Sequence, residues 1–200
     1  MSFLDKIAAA LMPAETDEDR LRARHAAISM AGDNDWLANV ILHHRHIERL
    51  LANARAATTA MDREDALKLL ARHLTAHSMA EEVVLYPALA HHGEKAAAGE
   101  AYQEEAMTKI QMAALANLDP MAPDWLEKLD AIREAVLHHV YEEEATWYPR
   151  LREQAAEADQ QVLTHRFLEE YHRHHDLDMA GFAGRADLGR LPPAMGAADF

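Results

Sequence analysis

Two hundred residues, half of them apolar, suffice for one domain with a substantial buried core. Cysteine is absent, which excludes disulfides, thiolate zinc sites, iron–sulfur clusters and cysteine nucleophiles, so any bound metal must use histidine or oxygen ligands. A formal charge of −14 with no basic stripe argues against a face for nucleic acid.

The first residues combine Asp5 and Lys6 with a brief apolar run from Ile7 to Met12, too short and too early interrupted by charge for a signal peptide, and they read as a short amphipathic helix. No other stretch approaches the roughly eighteen consecutive apolar residues of a membrane span. The expected compartment is therefore the cytoplasm. Strand signals are nearly missing, so the chain reads as all-α. Breakers divide it into a preliminary helix at Asp17–Met30 with a mixed-charge face, then Asp35–Ala56, Asp62–His91, Glu94–Leu118, Asp124–Gln154 and Ala158–Leu177. Asp33 and Asp62 are candidate N-caps, Gly93 separates the second and third long helices, and Asp119-Pro120 with Pro123 separates the third and fourth. Short connections between four long helices favour an up-down-up-down four-helix bundle over residues 33–156. Residues 1–32 would then be an N-terminal helical extension and 157–178 an additional fifth helix. Residues 179–200, rich in glycine and proline, are expected to be an extended or disordered tail.

A bundle helix buries residues at alternating spacings of three and four. In the first bundle helix that stripe runs Leu37, Val40, His44, Ile47, Leu51, Ala54, and in the second Leu67, Leu70, Leu74, His77, Glu81, Val84. The fourth gives Trp125, Leu129, Ile132, Val136, His139, Val140, Glu143, Trp147. The third is less regular, with Glu104, Met107, Ile110, Ala114 and Leu118. Every bundle helix thus carries a polar residue where an apolar one belongs. An unpaired buried carboxylate costs several kcal/mol against a net stability of roughly 5–15 kcal/mol, so several of them require compensation. A histidine and a glutamate four apart share one helix face, and two HxxxE pairs on facing helices make a natural box for two metals.

The pattern repeats. His77-Ser-Met-Ala-Glu81-Glu82-Val-Val-Leu-Tyr86-Pro87 recurs as His139-Val-Tyr-Glu-Glu143-Glu144-Ala-Thr-Trp-Tyr148-Pro149, so the chain reads as two copies of a helix pair. Upstream, His44, Ile47 and Leu50 in one half correspond to Glu104, Met107 and Ile110 in the other. This arrangement resembles the haemerythrin HHE cation-binding family over about residues 36–152. The resemblance implies a haemerythrin-like fold and two non-haem iron ions in a carboxylate-bridged site. Its ligands would fall on His44, His77, Glu81, His139 and Glu143, with Glu81 and Glu143 bridging. The family's third-helix histidine is missing. The stripe places Glu104 there, with Glu105 and Glu100 as alternatives. Three histidines and three carboxylates form a harder set than that of the oxygen-carrying haemerythrins; carboxylates favour the ferric state, and manganese in one position also fits such a set.

Other polar residues have plainer readings. His43, His46, His73 and His138 point to other faces and suit solvated or supporting roles. Glu82 and Glu144 are expected to cap, pair with a basic side chain, or hold a ligand histidine. Tyr86 and Tyr148 read as packing residues at helix ends, and Trp36, Trp125 and Trp147 as core. The cluster His165, His172, His174, His175 reads as a solvated face. The functional expectation is a di-iron protein that binds or reacts with a small oxidant, namely dioxygen, peroxide or nitric oxide. A second is oxygen or redox sensing read by a partner protein or a homodimer, and a third is iron storage or protection. Di-iron oxidase or peroxidase activity is compatible with the first.

Overall fold

A computed structural model describes the chain from residue 15 to 187, and its side chains to residue 175. The amphipathic helix expected at 7–12 and the tail beyond 187 lie outside the described residues. Six continuous helical stretches make up the described part. They comprise α1 (Asp17–Met30), α2 (Trp36–Ala56), α3 (Ala60–Ala80) continued by α4 (Tyr86–His91), α5 (Lys95–Leu115), α6 (Pro123–Glu142) continued by α7 (Tyr148–Gln154), and α8 (Glu157–Asp187). Between α3 and α4, and again between α6 and α7, the helix opens into a single π-helical turn, Glu81–Leu85 and Glu143–Trp147.

The helix starts follow from short polar side chains. Thr16 and Asp19 form a reciprocal capping box on α1, with three acidic residues in its first turn facing the positive end of the helix dipole. Asp35, not Asp33, caps α2 by accepting from the Ala38 amide, and Thr59, not Asp62, caps α3 by accepting from the Asp62 amide. Pro123 opens α6, where its missing N–H costs nothing. Gly93 ends the α4 stretch at φ +98°, a left-handed conformation that favours glycine.

Helices α2, α3, α5 and α6 pack as a ring, each against its sequence neighbour, with α6 returning to α2. Helix α8 lies along α3 and α2, and α1 crosses the opposite side against the π turn of the last bundle helix and α2. Past residue 178, where the sequence places the end of this helix, α8 continues to Asp187. Glycine weakens a helix by only about 1 kcal/mol relative to alanine, and the prolines that would stop it come at 192 and 193.

The buried apolar residues form two clusters. One gathers Trp36, Leu37, Leu85, Tyr86, Tyr148 and Phe167, and the other gathers Ile47, Leu51, Leu70, Trp125, Leu129 and Val136. Two of the three tryptophans also meet polar groups, Trp36 donating to Gln160 and Trp125 lying under the Arg63 guanidinium. The register of α5 departs from the expected stripe. Its buried side is Ala97, Ala98, Ala101, Glu105, Thr108, Met112 and Leu115, while Met107 and Ile110 are exposed. Among the described residues no helix is long and apolar enough to cross a membrane.

Candidate metal centre

Five buried side chains meet around one point in the bundle. His44 Nε2 lies 3.2 Å from Glu143 Oε2 and 3.8 Å from Glu81 Oε1, and His77 Nε2 lies 3.3 Å from Glu81 Oε2. His139 Nε2 lies 3.4 Å from Glu143 Oε1 and 3.5 Å from Glu105 Oε1, which brings a sixth group to the same place. These atoms sort into two overlapping sets that could each hold an ion: His44, His77, Glu81 and Glu143, and Glu81, Glu105 and His139. Glu81 belongs to both, the position of a bridging carboxylate. All six residues are buried, and Glu81 and Glu143 have no solvent exposure at all.

The α5 residue that faces this point is therefore Glu105, not Glu104. The two lie about 100° apart on the helix, and the apolar look of Met107 and Ile110 set the expected register one residue off. Glu104 instead accepts from His139 Nδ1 at 2.7 Å. Glu144 does the same for His44 Nδ1 at 2.9 Å. A carboxylate behind the imidazole fixes its tautomer and turns Nε2 inward, as in many metal sites. Glu144 is in turn held by the Arg24 guanidinium of α1, Nε to Oε2 at 2.9 Å, and Arg24 also grips Glu48. Glu82, the equivalent residue of the first half, pairs with Lys109 and leaves His77 Nδ1 without a hydrogen-bond partner. Glu100 lies further along α5, lining a groove of about 320 Å³ with Glu104, Met107, Thr108, Ile132 and His138.

The π turns explain how two tyrosines reach the centre. Pro87 and Pro149 have no N–H for the carbonyls four residues back, and the ladder widens just before them, with the Tyr86 and Tyr148 amides donating five residues back to Glu81 and Glu143. In an α-helix, position i+5 sits roughly 140° around from position i. The wider turn cuts that angle and returns both phenols to the carboxylates. Tyr148 donates to Glu81 or Glu143 at 2.6 and 2.7 Å, and Tyr86 Oη lies 3.1 Å from His139 Nε2 and 3.2 Å from Glu143 Oε1. Their packing role holds, since both are fully buried. Their contact with the carboxylates lay beyond the spacing rules; its signal is that a buried phenol needs an acceptor, and here the nearest belong to the same repeat.

The electrostatics fit a centre built for cations. Burial and the Glu143 charge push the Glu81 carboxyl up to about 8. Burial opposes a charge on His44, yet Glu143, Glu144 and Glu81 hold its pKa well above the ordinary range. Burial is likewise outweighed at His139 by Glu143, Glu104 and Glu105. At Glu143 burial is overcome by His139 and His44, which lower its pKa. His77 is pushed well below its usual value by burial and by the charge on His44. Even so, His44 Nε2, Glu105 Oε2 and Glu143 Oε2 remain buried with no hydrogen-bond partner. Buried carboxylate oxygens left without a donor, as at Glu105 and Glu143, are what a bound cation satisfies. The donor set, three imidazoles and three carboxylates without sulfur, suits iron or manganese.

The model of the hemerythrin HHE cation binding domain matches residues 37–151, more than half of the chain. The chain belongs to this family. The haemerythrin-type segment therefore covers both HxxxE repeats and leaves α1 and α8 outside it. A carboxylate-bridged di-iron site of haemerythrin type, able to take a small oxidant, matches the two overlapping ligand sets. Among curated proteins, a DNA nickase of Nostoc sp. (strain PCC 7120 / SAG 25.82 / UTEX 2576) is 24% identical over 111 residues, which are 56% of this chain and 32% of the relative. The chain spans about a third of the length of that relative. No solved structure matches significantly.

Proposed function

We propose that His44, His77, Glu81, Glu105, His139 and Glu143 hold the two iron ions, with Glu81 shared between them, and that the loaded centre reacts with dioxygen, peroxide or nitric oxide. The observation that carries this is the convergence of six buried ionisable groups on one point, with an oxygen of Glu105 and one of Glu143 left without a hydrogen-bond partner. Bound there, iron supplies one-electron redox chemistry and coordination positions for a small ligand. The chain's own part is positional. Glu144 and Glu104 hold two of the imidazoles, Tyr148 and Tyr86 donate hydrogen bonds to Glu81 and Glu143, and the apolar clusters on either side exclude water. Burial and the Glu143 and Glu81 charges keep both phenols protonated. The groove lined by Glu104 brings solvent, and with it a small oxidant, up to the carboxylate that touches His139. On its acidic, charge-rich composition we place the protein in the cytoplasm.

The test is an optical titration of the anaerobic, iron-loaded chain with each oxidant. A spectral change with at least one of the three is expected, and silence with all three removes the reading. A specific contact favours a sensing role as well. Arg24 ties α1, a helix outside the family segment, to a ligand through Glu144 and His44. Changes at the metal would thus reach the N-terminal surface, where a partner protein or a second copy could read them. Arg24→Gln is expected to weaken iron binding about 10- to 100-fold, the usual cost of losing an outer partner, in a competition titration against a chelator. An unchanged affinity would show that α1 does not act on the centre.

A further inference from the structure

Tyr171 of α8 stands between the metal centre and the surface. Its ring stacks on His43 with the centroids 4.0 Å apart and the planes 27° apart, and His43 in turn meets His77 of the metal centre edge-on at 5.7 Å. Phe167, one helical turn before Tyr171 and fully buried, also stacks on His43 at 5.6 Å and lies edge-on to His77 at 6.4 Å, which helps keep water out of the gap. Electron tunnelling between π systems falls off exponentially with their separation, so rings in succession from His77 to Tyr171 make a short route for an electron. Tyr171 itself is partly buried, within reach of both these inner rings and solvent.

A phenol gives up an electron readily only if its proton has somewhere to go, because the oxidised phenol is a strong acid. Tyr171 has such a place, since its Oη lies 3.0 Å from His73 Nδ1. Burial, the His46 and His175 imidazoles and Arg72 hold His73 down at about 4, so at pH 7 the ring is neutral. In the tautomer that carries its proton on Nε2, Nδ1 accepts the phenol's hydrogen bond and can take its proton. Burial raises the pKa of Tyr171, so the phenol starts protonated. The phenols around Glu81 and Glu82 are placed differently. Tyr86 and Tyr148 bond to groups that the metal would engage, namely Glu81, Glu143 and His139 Nε2. Tyr102 donates to the Glu82 backbone carbonyl, which takes no proton.

We propose that Tyr171 is a redox-active tyrosine, the relay by which single electrons pass from a small organic reductant at the surface to the oxidised di-iron centre through the His43 and His77 rings. Tyr171 loses one electron and the centre gains it. The Oη–H bond breaks and an N–H bond forms at His73 Nδ1, which leaves a neutral phenoxyl radical beside an imidazolium. A one-electron donor of the ascorbate class then reduces the radical and is itself oxidised by one electron, while the proton returns from His73 to Oη. The inference rests on the proposed oxidant chemistry for its electron acceptor. Tyr171 lies beyond the family segment, so the relay belongs to what α8 adds to it.

The test is spin resonance of the reduced, iron-loaded chain, freeze-quenched after mixing with hydrogen peroxide, with the optical change at the centre followed in parallel. A tyrosyl signal is expected in the wild type, absent in Tyr171→Phe and unchanged in Tyr102→Phe/Tyr141→Phe, with the same iron content in all three. His73→Gln should keep its iron and form the radical about 100-fold more slowly, the usual contribution of a well-placed proton acceptor. An optical change with no tyrosyl signal, or a signal that survives Tyr171→Phe, overturns the relay. If peroxide produces no optical change, the oxidant reading fails at that step and a flash-generated ruthenium(III) tris-bipyridine oxidant decides on Tyr171 alone. The Tyr102→Phe/Tyr141→Phe chain should then give a phenoxyl radical that the further change Tyr171→Phe abolishes; no radical, or one that persists, refutes a redox-active Tyr171.

Discussion

Glu105→Ala is expected to leave the purified chain with about one iron in place of two, while Glu104→Gln keeps both ions at an affinity reduced about 10- to 100-fold. The two glutamates are neighbours on α5 and differ only in where the helix turns them. Glu105 is 3% exposed, one of its oxygens lies 3.5 Å from His139 Nε2, and the other has no partner. Besides Glu105, that ligand set holds only His139 and the shared Glu81 among the described residues. Glu104 is on the solvent side of the same histidine, touching Nδ1. Its amide variant still orients the ring but removes the charge that makes the imidazole a stronger donor. Metal analysis with equilibrium dialysis separates the two effects. If Glu104→Gln loses an ion and Glu105→Ala does not, the ligand assignment on α5 must be reversed.

That one-residue register marks the limit of what the chain discloses without coordinates. On α2, α3 and α6 the buried face is written in leucine, isoleucine, valine and tryptophan, so the polar interruptions at His44, His77, Glu81, His139 and Glu143 stand out and fall at the centre. On α5 the buried face around Glu105 is alanine and threonine, with Met112 and Leu115 its only large apolar members, and small residues leave almost no periodic signal. Exposed Met107 and Ile110 then mimic a core stripe. Cap residues misled by two or three positions, since Asp33, Asp35, Thr59 and Asp62 are all good caps and only the backbone path decides among them. The π turns had a sign in Pro87 and Pro149, which should interrupt the helices yet leave them continuous. What a proline inside a helix does instead, whether a kink, a break or a widened turn, depends on what the displaced residues find to bond. Here they find each other's glutamates.

Loading two Fe²⁺ into the metal-free chain at pH 7 is expected to release about three protons. The argument is one of charge. Without metal, the buried carboxylates can be balanced only by protons, and these sit on the groups whose pKa values the site raises. His44 and His139 are held high by the glutamates around them, against the effect of burial. Glu81, raised to about 8 by burial and by Glu143, holds the third. His77 is neutral already and Glu143 is already ionised, so neither contributes. Ligation needs each nitrogen lone pair and the bridging carboxylate free, hence one proton leaves each of the three groups. Because all three are raised, protons compete with metal throughout the range below about pH 8, and affinity for the pair falls on acidification by up to about a thousandfold per pH unit. A pH-stat titration under anaerobic conditions counts the protons directly, and chelator competition at pH 6, 7 and 8 gives the slope. A release below one proton would mean that the glutamates are charged and otherwise neutralised in the metal-free bundle, and the cation would lose its role as the group that makes these buried charges tolerable.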